Sequence, residues 1–365
     1  MILLLRRSIR DLDWTLILLA VIITTLGIVQ IYSATLDTVW RNAWWKQFVW
    51  LAAGLVLMYA IAQVDYHTLL GRVPLLYVAG LLVLITTLFV GTRVFGSRRW
   101  IPLFFGFHFQ VSEFFKLVII LLVARYLTEV KSQRLEWLDL LKLGLLVAIP
   151  MALVMKQPDL GTALTYVPIL ATGIFLGGLR WQHAVIIGLV AAILLPVGWF
   201  LLKDYQKARL VTFLDPAKDP KGAGYQVIQS KIAVGAGGMW GKGVTRGTQT
   251  QLRFLPVPHT DFIISAFAEE HGFTGILVVL GLYFLLLMQM VQNAQAAPDR
   301  AGMLICMGVA AVMLFHVLVN TGMAVGRMPV TGIPLPLMSY GGSSLLSVFA
   351  MLGLVNNVRL RRLVA

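Results

Sequence analysis

About ten stretches of this chain are each long and apolar enough to cross a lipid bilayer, and no other feature narrows the fold so far. They lie at 14–33, 45–64, 73–91, 109–127, 138–156, 160–177, 182–202, 263–292, 302–320 and 336–358. A helical span needs about 20 mostly apolar residues. Within hydrocarbon every backbone N–H and C=O must be satisfied by the protein itself, so runs of this length are read as helices. The expected fold is all-α: an integral membrane protein of about ten transmembrane helices, forming one polytopic domain over residues 1–365. Of its residues 59% are hydrophobic and 13% charged, against about 45–50% and about 25% in soluble domains.

The start, MILLLRRSIRDLDW, runs into an apolar stretch that no small-residue cleavage site closes, so it is expected to be retained as the first span. The runs 138–156 and 160–177 are separated only by Gln157-Pro158-Asp159 and should form a helical hairpin. Pro168 and Pro196 lie inside runs and are expected to kink them. Lys and Arg in the short loops favour an inside N-terminus, although counting the long connection reverses that balance. That connection, about 203–261, is the one sizeable extramembrane element and falls between the seventh and eighth helices. Its middle, YQVIQSKIAVGAGGMWGKG, places apolar residues at helical spacing and is expected to lie on the membrane surface.

The net charge of +14 points to anionic lipid head groups or an anionic substrate. The charge is scattered between spans, which argues against nucleic acid as a partner. Cys306 is the only cysteine, so an internal disulfide is excluded.

A few polar residues stand where the bilayer makes them expensive. Asp261 lies at the junction between the long connection and the eighth apolar run, and an acid near a span is a functional candidate by default. Its bland reading is a helix N-cap, since Pro256, Pro258 and Thr260 lead into it. Glu269 and Glu270 follow about two turns later. Arg98, Arg99 and Trp100 form a cationic-aromatic cluster; adjacent guanidinium groups suit a diphosphate, and the bland reading is an interfacial anchor. Glu113 and Lys116 share a helical face near a helix start, as a structural ion pair or as charge for an anionic ligand. Asp159 sits on the hairpin turn, where Asp readily bonds its own downstream backbone. Near the C-terminus, VTGIPLPLMSYGGSS is broken backbone at membrane depth, tolerated where it lines a cavity or is buried. Ser339, Tyr340, Ser343 and Ser344 give it polar lining. No histidine pair, phosphate loop, nucleophile elbow or dinucleotide fingerprint is present.

Seven runs together resemble the SEDS family (shape, elongation, division, sporulation). They are GSRRWI at 96–101, VSEFFK at 111–116, QPDLGTA at 157–163, GYQVIQSKIAVGAGGMWGKG at 224–243, GTQTQLRFLPVPHTDFI at 247–263, AEEHG at 268–272 and PLPLMSYGGSS at 334–344. They follow the family's order across most of the chain. Val111 stands where the family usually has proline, and Phe115 where it has a small residue. The short tails and the IRDLDW segment resemble the elongation branch more than the division branch.

The resemblance implies a ten-helix glycosyltransferase of the cytoplasmic (inner) membrane. It would polymerise lipid II on the outer face and work with a class B penicillin-binding protein. Position by position it makes Asp261 the catalytic carboxylate. Trp100, Glu113, Lys116 and Asp159 match family positions and are carried as substrate-binding candidates, with Arg98, Arg99, His259, Thr260, Ser339 and Ser343. A divalent cation is compatible with the chemistry, but the sequence shows no ligand set for one. The competing expectation is a flippase for the lipid-linked precursor, for which the inverted repeats common in transporters are not detected.

Overall fold

A computed structural model describes residues 10–94, 97–102, 108–130, 134–201, 204–216, 219 and 222–362. The described chain is a helical bundle with a small sheet at one end. Its helices are α1 (Trp14–Thr35), α2 (Ala43–Gln63), α3 (Tyr66–Gly71), α4 (Val73–Val90), α5 (Val111–Glu129), α6 (Trp137–Lys156), α7 (Leu160–Leu164), α8 (Tyr166–Leu176), α9 (Trp181–Leu201), α10 (Asp204–Leu214), α11 (Ala223–Ala236), α12 (Thr248–Gln251), α13 (Ile263–Gln295), α14 (Arg300–Ala324) and α15 (Gly342–Arg361).

Among the described residues, α1, α2, α4, α6, α13, α14 and α15 are long and apolar enough to cross a membrane. The other three apolar runs are helical too. α5 carries Glu113, Lys116 and Arg125 within it. The run 160–177 divides at Thr165 into α7 and α8, with Pro168 in the first turn of α8, where its missing N–H has no helical partner to lose. α9 continues through Pro196. The final run begins later than expected, because 336–341 is irregular and helix starts only at Gly342. The long connection is not a loop throughout: it contains α10, α11 and α12.

α14 and α15 form the buried centre, and α15 packs most extensively on α2. Small residues allow that approach. A Cβ added at Gly54 would lie 2.6 Å from the Phe349 ring, and one at Gly353 would lie 2.8 Å from the Met58 carbonyl oxygen. Helices α4 and α6 lie at the periphery and expose Leu75, Leu82, Phe89, Leu138, Leu141 and Leu145. In a bilayer these meet lipid, so their exposure carries no hydrophobic cost.

At one end of the bundle Asp13 caps α1 and is fully buried. It accepts hydrogen bonds from Gln289 at 2.8 Å and Asn293 at 2.6 Å, and pairs with Arg359 at 3.0 Å. This ties α1, α13 and α15 together. At the other end α5, α7, α13 and α15 all begin. There the chain forms a three-stranded antiparallel sheet that apolar patterning does not reveal: β1 (Thr92–Val94), β2 (Ser97–Pro102) and β3 (His108–Phe109), in that spatial order. α11 forms where helical spacing predicted it. Its Val227, Ser230 and Ala233 are buried against protein, while Ile228 and Ile232 remain exposed on the other side.

Candidate functional site

Asp261 lies in the turn before α13, two residues ahead of the first helical residue. The cap position belongs to Phe262 and no side chain caps that helix, so the capping explanation of Asp261 does not hold. Its main chain is fixed instead. Asn320 of α14 donates to the Asp261 carbonyl at 2.9 Å and, with the same amide, to the Ile333 carbonyl at 2.9 Å. The preceding residues are held by the segment before α15. Ser339 donates to the Thr260 carbonyl at 2.7 Å, and the Tyr340 N–H donates to the His259 carbonyl at 2.9 Å. The His259 ring is enclosed by Trp40 and Tyr340, with centroids 5.4 and 6.0 Å away.

Gly332 lies beside the carboxylate. Its φ is +74°, and a Cβ there would lie 3.8 Å from Asp261 Oδ2. The adjoining Thr331 faces the hairpin turn, since a Cβ at Gly161 would lie 2.7 Å from the Thr331 carbonyl oxygen. Gly161, two residues past Asp159, and the catalytic candidate Asp261 therefore flank one short segment, 331–332.

Asp159 is almost fully buried. It caps α7 by accepting from the Thr162 N–H at 3.2 Å, as a turn Asp is expected to. It does more than cap: Arg99 pairs with it at 3.2 Å and Gln110 donates to it at 2.6 Å. Arg99 also lies over the Trp100 ring, 5.6 Å from its centroid. Arg99 Nε and Trp100 Nε1 are buried donors with no protein partner among the described residues. The Arg98 backbone pairs with Arg93 in the sheet, and its side chain lies outside the described residues.

Burial pushes the Asp261 carboxyl above the usual carboxylate range, while the charges of Arg99 and Arg209 and the Thr260 hydroxyl pull it down; burial prevails. Burial also pushes His259 down to about 4, so its ring is neutral at pH 7.

Glu113 and Lys116 sit beneath this surface. Their side chains pair at 2.9 Å and are sealed from solvent. Ser347 donates to Glu113 at 3.1 Å. Lys116 Nζ stands 3.4 Å from His316 Nε2, and His316 Nδ1 stands 3.0 Å from the Pro334 carbonyl oxygen. With Lys116 donating, the neutral ring keeps its proton on Nδ1 and donates it to Pro334. The ion pair thus reaches the 331–336 segment beside Asp261 through one imidazole. Ser343 donates to the His108 carbonyl at 2.9 Å and accepts from the Gln110 N–H at 3.1 Å, joining β3 to α15.

The structure adds Gln110, Asn320, Tyr340 and Arg209 to the surroundings of the site. Tyr340 was visible only as part of the polar lining, and Arg209 only as one of many loop cations. Gln110 and Asn320 are ordinary polar residues whose partners lie 49 and 59 positions away. Among the described residues no three His, Cys, Asp or Glu side chains are grouped to hold a metal ion.

The chain is 38% identical to the peptidoglycan glycosyltransferase MrdB of Escherichia coli K12, covering 96% of this chain and 94% of that one. It is 35% identical to the peptidoglycan glycosyltransferase RodA of Treponema pallidum, covering 98% and 99%. Its fold matches a chain from a peptidoglycan synthase complex that coordinates polymerization and crosslinking, with a TM-score of 0.82 and 38% identity over 96% of this chain and 98% of that one. With residues 13–362 matching the sequence profile of the cell cycle proteins that groups FtsW, RodA and SpoVE, the chain belongs to that family.

Proposed function

We propose that this protein is a peptidoglycan glycosyltransferase that polymerises lipid II into glycan strands, with Asp261 as general base. The observation that carries the reading is a half-buried carboxylate, free of any capping duty, held by its main chain within the field of the half-buried Arg99. Near-full-length identity of 35% and 38% to two glycosyltransferases of the RodA and MrdB type supports the activity and a role in elongation.

In the reaction an acceptor sugar hydroxyl attacks the anomeric carbon of a polyprenyl-diphosphate-linked donor. The new glycosidic C–O bond forms as the bond to the diphosphate breaks. The hydroxyl proton passes to Asp261, and the polyprenyl diphosphate leaves with the bonding electrons. A positioned base is worth about 10²–10⁴-fold. A raised carboxyl makes Asp261 a stronger base than an exposed aspartate.

Negative charge develops on the leaving diphosphate. Arg99, with Nε unpartnered and Trp100 Nε1 beside it, offers donors to that charge. Arg98 is assigned the same role from sequence. Asp159 holds Arg99 in place, while His259 and Thr260 frame the acceptor side. Ser339 and Ser343 support the site through backbone bonds. Glu113 and Lys116 act from below, through His316 and Pro334.

The site would face the outside of the cytoplasmic membrane, with a class B penicillin-binding protein as partner to cross-link the strands. The peptidoglycan synthase complex whose chain this fold resembles supports a partnership of that kind. The alternative is a flippase. Purified protein and partner, with the partner's transpeptidase blocked, should convert lipid II into glycan ladders. No ladders, with labelled lipid II crossing reconstituted vesicles, would establish the flippase instead.

A further inference from the structure

α13 is not one continuous helix. Gly272 has φ 69° and ψ −168°, and this break separates 263–271 from 273–295. A broken backbone next to a span must find partners elsewhere in the protein. The glycine-rich segment 237–243 supplies them. Lys242 and Gly243 donate their N–H groups to the carbonyls of Glu269 and Glu270 at 3.0 and 2.9 Å. Phe273 and Thr274 donate theirs to the carbonyls of Gly238 and Met239 at 2.9 and 3.1 Å. The fit excludes side chains: a Cβ at Gly237 would lie 2.0 Å from the Ala268 oxygen, and one at Gly241 would lie 2.2 Å from the Glu270 oxygen.

The side chains of Glu269 and Glu270 complete this joint in two directions, and both are buried. Glu269 accepts from the Lys242 ammonium at 3.1 Å and from the N–H groups of Gln249 and Thr250 at 2.8 and 3.1 Å. The hydroxyls of Thr248 and Thr250 add bonds at 3.3 and 2.9 Å. Glu270 turns toward α1, accepting from the Ser33 hydroxyl and from Gln30 at 3.3 Å. Ser33 also holds the connection, because the Thr245 N–H donates to its Oγ at 3.1 Å and Gln251 donates to its carbonyl at 3.0 Å.

The proposed chemistry uses neither carboxylate, yet burying two adjacent acids is costly unless their bonds are complete. The segment they lock, 242–251, runs directly into 254–261 and so into Asp261. Displacement of a catalytic group by about 1 Å can cost about 10²-fold in rate. We infer that Glu269 is a positioning residue: it fixes the 242–251 segment against the broken helix and thereby places Asp261, while Glu270 ties the same joint to α1. This inference rests on the reading of Asp261 as the base.

The test uses the full chain with its partner, comparing wild type, Glu269→Gln and Glu269→Asp. Glu269→Gln removes the charge and replaces one of two accepting oxygens with an NH2 that can only donate, facing groups that are themselves donors. Amide exchange across 242–251 should accelerate about tenfold, as expected for the loss of about one charge-assisted bond. The kcat for lipid II should fall about tenfold or more with KM within about twofold, and Glu269→Asp should recover part of kcat. If Glu269→Gln does not fold, Thr250→Val removes one donor from the same carboxylate and should show the same pattern more weakly.

Unchanged exchange would overturn the clamp. Faster exchange with wild-type kcat, or a rise in KM alone, would overturn its coupling to Asp261 while leaving the polymerase reading intact. A wild type that makes no glycan would end the polymerase reading and the positioning role together.

Discussion

Asp261 is fixed through its carbonyl, while its carboxylate accepts from the adjacent Thr260 hydroxyl, and that division leaves the side chain able to exchange a proton. Because its folded pKa is raised, the folded chain binds more protons at this group than the unfolded chain does. Its contribution to stability is therefore present at low pH and lost as pH rises through the raised value. Above that raised value the full cost of the buried charge is in place, so there Asp261→Asn should raise the melting temperature while lowering the polymerisation rate by about 10²–10⁴-fold. A thermal melt beside a rate assay checks both signs. The pH–rate profile should fall on the acid side with a midpoint above the ordinary carboxylate range. His259 works in the opposite sense. Its pKa lies at about 4 in the folded chain against 6.5 ordinarily, so stability should drop as pH falls from 6.5 toward 4. His259→Phe should flatten that slope in melts taken across the interval. Asp261 was legible in the sequence because an acid at the edge of an apolar run is rare. Arg209 was not, because nothing local distinguishes one basic loop residue from its neighbours.

At the scale of elements, the sequence reads 263–292 as a single apolar run, and the break inside it leaves only one mark, Gly272. An isolated glycine in a helical pattern is tolerated, so pattern alone does not reveal the break. What reveals it is the match between the freed backbone groups and the 237–243 segment, a relation between residues about 30 positions apart. Gly272→Ala should be strongly destabilising. It forces φ near +69° on a residue with a side chain and places the new Cβ 2.3 Å from the Gly241 nitrogen. The strain alone is about 1–3 kcal/mol, before the clash, and should appear as a lower melting temperature and lower yield. The hairpin turn is legible in the sequence because Gln157-Pro158-Asp159 leaves no room for a longer connection. Its second role, receiving Arg99 and Gln110, depends on a sheet that apolar periodicity does not encode. Arg99→Ala should cost about 1–3 kcal/mol by leaving the buried Asp159 short of a partner. Asp159→Asn should soften that loss, read by the same melts.

For the whole molecule, hydropathy identified the bundle because lipid imposes length and apolarity on every peripheral helix. It was less accurate where the bundle centre relaxes those demands. The expected start of the last span is irregular backbone, and the second arm of the hairpin splits in two. The Glu113–Lys116 pair lies at that centre and joins α5 to α14 and α15 through His316 and Ser347. Removing one partner leaves the other charge buried alone, so Glu113→Gln should cost about 3–5 kcal/mol. Glu113→Leu combined with Lys116→Met should restore most of the stability, because a well-packed apolar pair replaces a buried ionic one at little cost. If the pair orients the segment beside Asp261, the double variant should melt near wild type yet polymerise slowly. Recovery of both stability and rate would reduce the pair to a structural bond.

The most direct measurement is glycan polymerisation from lipid II by wild type and Asp261→Asn at equal protein levels, each with a penicillin-binding partner whose transpeptidase is blocked. The account predicts ladders from wild type and none, or a rate lower by about 10²-fold or more, from a variant that is folded and still binds its partner. Ladders from Asp261→Asn at the wild-type rate would contradict it.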